Sequence, residues 1–236
     1  LLWAGLDGIM TSGNKSLTSF LTDNAYTVNG LINGFAILAG VAAIWRAIRG
    51  EIRGRGEEET CSLKQGSVVS GKEGSAVSGD EGYKETETGV NPARSGMESV
   101  VTRYMVLGAL AFLTALSLNL LFSLLGLTGS SQGYAQTARA QYGVNFVVGL
   151  FLYGILSPAA EEAVFRGLIY NRMKRCFGYV IALVVSSLFF GCYHGNVVQA
   201  LYGTVLGLLI AWAYEKYGSF AAPVLFHGVA NVSIYA

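Results

Sequence analysis

Apolar residues gather in five long stretches of the chain, at about 28–48, 104–127, 144–165, 179–194 and 198–214, and a sixth, 220–236, runs to its end. None alternates in the manner of a strand. Most approach the roughly 20 residues that a helix needs to cross a bilayer. The pattern predicts an all-α fold, a polytopic transmembrane helix bundle with about six apolar helical segments. Gly30/Gly34, Gly191/Gly195 and Gly203/Gly207 each place two glycines four apart, a spacing that lets helix backbones approach within a membrane.

Between the first two stretches, 50–96 is rich in Gly, Ser, Glu and Lys and holds almost no large apolar residue. Such a segment buries too little surface to offset the entropy of ordering it, so it is expected to be a disordered loop. The chain divides accordingly into an N-terminal segment with the first transmembrane helix (1–48), a polar loop (49–99) and a helical bundle (100–236). Residues 1–24 read either as an interfacial helix or as the remainder of an earlier span. They lack the positive start of a signal peptide, and Leu1 in place of Met leaves room for upstream sequence.

Composition supports a lipid environment. Only 13% of the 236 residues are charged and 52% are hydrophobic, whereas a soluble domain carries about 25% charged residues. The net charge of +1, with no basic stripe, gives no sign of nucleic-acid binding, and the bilayer itself is the expected partner. Cys61, Cys176 and Cys192 are too scattered for a disulfide framework or a thiolate metal site. Alternating the spans places fourteen of the sixteen Lys and Arg on one side and leaves Lys15 and Arg139 on the other. By the positive-inside rule the richer side, with the long loop, is cytoplasmic. The expected location is an integral multi-pass protein, in the cell membrane if the source is prokaryotic.

The third stretch carries the chemistry. Pro158-Ala-Ala-Glu161-Glu162-Ala-Val-Phe-Arg166 sets two acids and a base in an apolar run, where each charge costs about 2.5–3.5 kcal/mol at a helix centre unless it faces protein or water. Glu162 and Arg166 are four apart and share a face, so they can pair. Glu161 points about 100° away and is left available. The plainer reading is a solvated helix end, but two further features tell against it. The only two histidines of the chain, His194 and His227, also lie in apolar stretches, and Asn231 follows His227 by one helical turn. Polar groups placed where water is scarce need partners and are the natural partners of one another.

A carboxylate beside an imidazole can activate water, and a histidine with an amide can stabilise a developing oxyanion. Two His with Glu could instead hold zinc with one open position. No cofactor is expected, with zinc the alternative. No Ser or Cys is paired with a base in a pattern that suggests a covalent nucleophile.

Glu161-Glu162-xxx-Arg166, Phe190-xxx-His194 and His227-xxx-Asn231 resemble, in order and type, the three motifs of the CPBP family of intramembrane glutamic endopeptidases, which includes the type II CAAX prenyl endopeptidases and bacteriocin-processing relatives. The resemblance covers about 144–236. It implies that Glu161 and His194 activate water, that His227 and Asn231 form the oxyanion hole, and that Glu162, Arg166 and Phe190 support the site. It also implies a cavity open to the cytoplasmic side or laterally to lipid, and a membrane-anchored or membrane-proximal peptide as substrate. For Glu161 to lie level with His194, the spans must tilt, the third span must break at Pro158, or it must reach deeper, through Arg172. A non-catalytic immunity or adaptor protein, and a small transporter or proton relay, are the alternative uses of such a polar interior.

Overall fold

The computed structural model describes residues 15–70 and 92–235, and every element within them is helical. Helix α1 (Lys15–Asp23) leads into α2 (Ala25–Ser70), and α3 (Pro92–Leu124) follows. A helical turn at Leu127–Ser130 precedes the short α4 (Gln132–Tyr142). Next comes the 32-residue α5 (Phe146–Phe177), then α6 (Tyr179–Cys192), α7 (Val197–Tyr217) and α8 (Ala221–Tyr235).

Four helices are long and apolar enough to cross a membrane: Ala25–Gly50 of α2, Ser99–Leu124 of α3, α5 and α7. The other two expected segments, α6 and α8, have 14 and 15 residues. They rise only about 21–23 Å against a hydrocarbon core of about 30 Å, too little to cross it upright. Apolar side chains cover the outside of the bundle: Phe35, Met105 and Val147 are each more than 70% exposed. Lipid, rather than water, is the solvent that such a surface suits.

Helix enters the expected polar loop, 49–99, from both sides. The α2 backbone stays helical through Ser70, and α3 begins at Pro92; 71–91 lie outside the described residues. A helix already nucleated extends at little cost through good helix formers, and Glu, Leu, Lys and Gln supply them after Gly56.

Cross-links between helices define two ends of the bundle. At one, the Asn145 N–H donates to Thr27 Oγ1 at 2.9 Å and the Tyr142 hydroxyl to the Ile234 carbonyl at 3.1 Å. At the other, Ile48 packs on Gly167, and the Tyr217 hydroxyl donates to the Arg103 carbonyl at 3.0 Å. The first is the α4 end. Arg46, Arg49, Arg103, Arg172, Lys174, Arg175 and Lys216 gather towards the second, the basic end.

The closest seam joins α6 to α7. A Cβ on Gly191 would lie 2.2 Å from Thr204 Oγ1 and 2.3 Å from the Ala200 carbonyl, and one on Gly207 would meet Ser187 Cα at 3.1 Å. Gly195 is no part of a helix face with Gly191, because α6 ends at Cys192 and Gly195 turns the chain at φ +74°. We predict that Gly191→Ala destabilises the purified protein by about 1–3 kcal/mol, as overpacking commonly does. Gly108→Ala, where nothing lies within 4 Å, should leave thermal unfolding in detergent unchanged or slightly improved.

Candidate functional site

Pro158 shapes the site before any charged residue does. It has no N–H to offer Gly154, four residues back, and α5 responds with a π-helical turn over Leu152–Leu156. The Ser157 N–H bonds the Leu152 carbonyl, five residues back. The Tyr153 carbonyl therefore loses Ser157, and Pro158 cannot replace it. Asn231 Nδ2 donates to it instead, at 3.0 Å. The Gly154 carbonyl, released by the same proline, faces Gly228, where an added Cβ would lie 2.3 Å away. The break in α5 thus binds α8 and sets the register of His227 and Asn231.

A second π-helical turn, Phe165–Tyr170, follows the acidic pair and carries α5 on to Phe177. Glu161 consequently sits at mid-helix, sixteen residues from both Asn145 and Phe177, or about 24 Å from each. This deeper third span brings Glu161 to the cavity that His194, just past the end of α6, also lines.

Glu162 and Arg166 are fully buried and pair as their spacing predicts: Arg166 Nη1 donates to Glu162 Oε1 at 3.0 Å. Arg166 Nη2 donates to the Gly207 carbonyl at 2.8 Å, and the guanidinium lies 4.8 Å from the Phe190 ring centre. On its other side Glu162 Oε1 takes His227 Nδ1 at 2.8 Å. The buried pair therefore ties α5 to α7 through Arg166 and to α8 through Glu162.

Glu161 is placed differently. Its side chain keeps 14% exposure, and Oε1 accepts a hydrogen bond from Ser157. Oε2 has no hydrogen-bond partner among the described residues and lies 3.9 Å from His227 Nε2. The split of one carboxylate engaged and one available follows the helix faces.

The histidines meet the site through Phe190, whose ring packs edge-on against His194 at 5.1 Å and His227 at 5.3 Å. His194 Nδ1 is held by the Phe190 carbonyl at 2.9 Å, leaving Nε2 as its other polar atom. Glu161, His194, His227 and Asn231 all line one cavity of about 200 Å³, together with Ser157, Tyr153 and Phe190. The contact with the acidic pair belongs to His227 rather than His194. Among the described residues no three His, Cys, Asp or Glu are grouped as a metal site would require.

Sequence reasoning missed Ser157, Tyr153 and Gly207. Ser157 had a signal, lying four residues before Glu161 on one helix face. The other two act through backbone carbonyls, which no side-chain pattern reveals.

Residues 143–233 match the model of a family described as type II CAAX prenyl endopeptidase Rce1-like. This is the stretch whose motifs resemble those of the CPBP proteases. It is 25% identical over 85 residues to the "Putative membrane peptidase YdiL" of Bacillus subtilis (strain 168), covering 36% of this chain and 35% of that protein. It is 31% identical over 90 residues to the "Membrane-embedded CAAX protease MroQ" of Staphylococcus aureus (strain USA300), covering 35% of this chain and 36% of the relative. The chain thus spans about a third of the length of these relatives. No solved structure matches it. The Rce1-like match begins at the α4–α5 turn and includes every polar residue of the cavity floor named above.

The Glu162–Arg166 pair yields a stability prediction. Removing one member of a buried pair strands the other, at about 3–5 kcal/mol. Arg166→Met should therefore lower the thermal midpoint of the purified protein sharply. Glu161→Gln, which keeps shape and a hydrogen bond, should shift it little.

Proposed function

We propose that the protein is an intramembrane endopeptidase that hydrolyses a peptide bond in a membrane-associated protein or peptide, using water activated by Glu161. The observation that supports this reading is the contrast between the adjacent carboxylates: Glu162 is fully buried and bonded to Arg166 and His227, while Glu161 lines the cavity with its side chain 14% exposed.

In this mechanism Glu161 Oε2 takes a proton from water as the water oxygen attacks the peptide carbonyl carbon. The carbonyl π pair moves onto oxygen. His194 shares the orientation of the water through Nε2. The oxyanion is held by Asn231, whose amide keeps a second N–H beyond the one given to Tyr153, and by His227 Nε2 when that nitrogen carries a proton. Glu162 orients His227 through Nδ1, which makes it a positioning residue. Collapse of the tetrahedral intermediate breaks the C–N bond, and Glu161 returns its proton to the departing amine. The Rce1-like match and the peptidase names of two relatives support hydrolysis.

We further propose a multi-pass protein whose basic end is cytoplasmic, because fourteen of the sixteen Lys and Arg fall on that side of the alternating spans.

Mass spectrometry of membrane-peptide termini, in cells expressing wild type or Glu161→Gln at matched levels, tests the reaction. Termini produced by the wild type should fall by at least about 100-fold in the variant, the scale of a lost general base. Identical profiles with both proteins inserted would instead favour a binding or immunity role. Elemental analysis tests the chemistry: the purified enzyme should carry no stoichiometric zinc, and one tightly bound zinc per chain would replace carboxylate-activated with metal-activated water.

A further inference from the structure

Besides the reacting groups, the cavity wall carries a primary amide whose orientation is fixed. Helix α7 starts after the turn 193–196, in which His194 and Asn196 flank Gly195 at φ +74°. Asn196 is the N-cap, and its Oδ1 accepts the Gln199 backbone N–H at 2.9 Å. A backbone N–H can only donate, so the Asn196 atom facing it must be the oxygen, and Nδ2 must point elsewhere. That Nδ2 donates to the side chain of Gln199. An NH2 group also can only donate, so the Gln199 atom receiving it is Oε1. Gln199 Nε2, with two N–H groups, is the end left over. It has no hydrogen-bond partner among the described residues.

Capping the helix uses only the first of these bonds. The second joins two side chains and fixes how the Gln199 amide is turned. Gln199 is half-buried and lines the cavity, as do Tyr202, Gly203 and Leu206, which follow it at the i+3, i+4 and i+7 positions of one helix face. Gly203 relates this face to the chemistry, because a Cβ there would lie 3.5 Å from His194 Nδ1. Gln199 precedes Gly203 by four residues, about 6 Å along the helix axis. An extended peptide covers that distance in about two residues.

We propose that Gln199 Nε2 donates to a main-chain carbonyl of the bound peptide, about two residues from the bond cleaved beside His194, and that Asn196 is the positioning residue that turns the amide for this contact. The peptide nature of the ligand rests on the proposed hydrolysis. A neutral N–H donor suits an uncharged main-chain carbonyl, which every polypeptide presents whatever its side chains. Such a contact is made in the ground state and the transition state alike, so its loss raises KM and leaves kcat in place.

Binding is measured first without turnover, on the purified Glu161→Gln protein in detergent, with acetyl-tetraleucine amide as the probe. Adding Gln199→Leu, which removes both N–H groups, should weaken binding about 3- to 10-fold, the scale of one neutral hydrogen bond. Asn196→Asp keeps a capping oxygen but has no Nδ2, and its carboxylate draws Gln199 Nε2 to itself. It should weaken the probe by a similar factor while the thermal midpoint stays in place. Unchanged affinity in Gln199→Leu, or no binding of the probe to the parent protein, would overturn the subsite. Unchanged affinity in Asn196→Asp would overturn the positioning role. With Glu161 restored, a synthetic peptide spanning a Glu161-dependent terminus should show KM raised by the same factor in either variant and kcat within about twofold of wild type. A fall in kcat at constant KM would count against the proposal. If no Glu161-dependent termini exist, the hydrolytic reading fails and the probe affinities still decide the subsite. If termini are present and Gln199→Leu leaves KM unchanged, hydrolysis stands and the subsite falls.

Discussion

A glutamate and an arginine with no access to solvent hold the centre of this bundle. Left unpaired, either charge would cost several kcal/mol in an apolar interior. Paired with each other, they still require partners for their remaining polar atoms. Glu162 finds His227 on α8, and Arg166 finds the Gly207 carbonyl on α7. These contacts help to set which faces of three helices meet.

Pro158 makes a second, independent demand. By withholding an N–H it frees carbonyls in the π-helical turn, and α8 answers them with Asn231 and Gly228. His227 lies between those two residues in sequence, so the backbone defect and the buried ion pair position the same imidazole from two directions. That double anchoring leaves little freedom for Nε2, which faces Glu161. The arrangement suits a site whose reacting groups must be placed before substrate arrives, since preorganised dipoles need not reorganise during reaction.

The short helices α6 and α8 complete the design. Neither is long enough to cross a bilayer upright, and each brings its site residues to the cavity rather than to a membrane surface. His194 lies beyond the last turn of α6, and Asn231 lies in the last half of α8. The polar site can then occupy mid-membrane depth while apolar side chains still cover the outside of the bundle.

Much of this was legible in the chain. Apolar stretches mark the helices because lipid rewards continuous hydrophobicity, and the i, i+4 spacing of Glu162 and Arg166 announces their pairing because a helix fixes neighbours one turn apart. That Glu161 falls on a different face from Glu162 follows from the same geometry. Helix ends were less legible: the continuation of α2 to Ser70 depends on cooperative propagation, which composition averages conceal. Three features belonged to tertiary structure alone. His227, rather than His194, contacts the carboxylates; backbone carbonyls of Tyr153 and Gly207 act as ligands; and the cavity lies at the α4 end. Each depends on how separate helices slide and rotate against one another. Local periodicity sets which face a residue occupies along its own helix, whereas depth and partner across helices are decided only when the helices pack together.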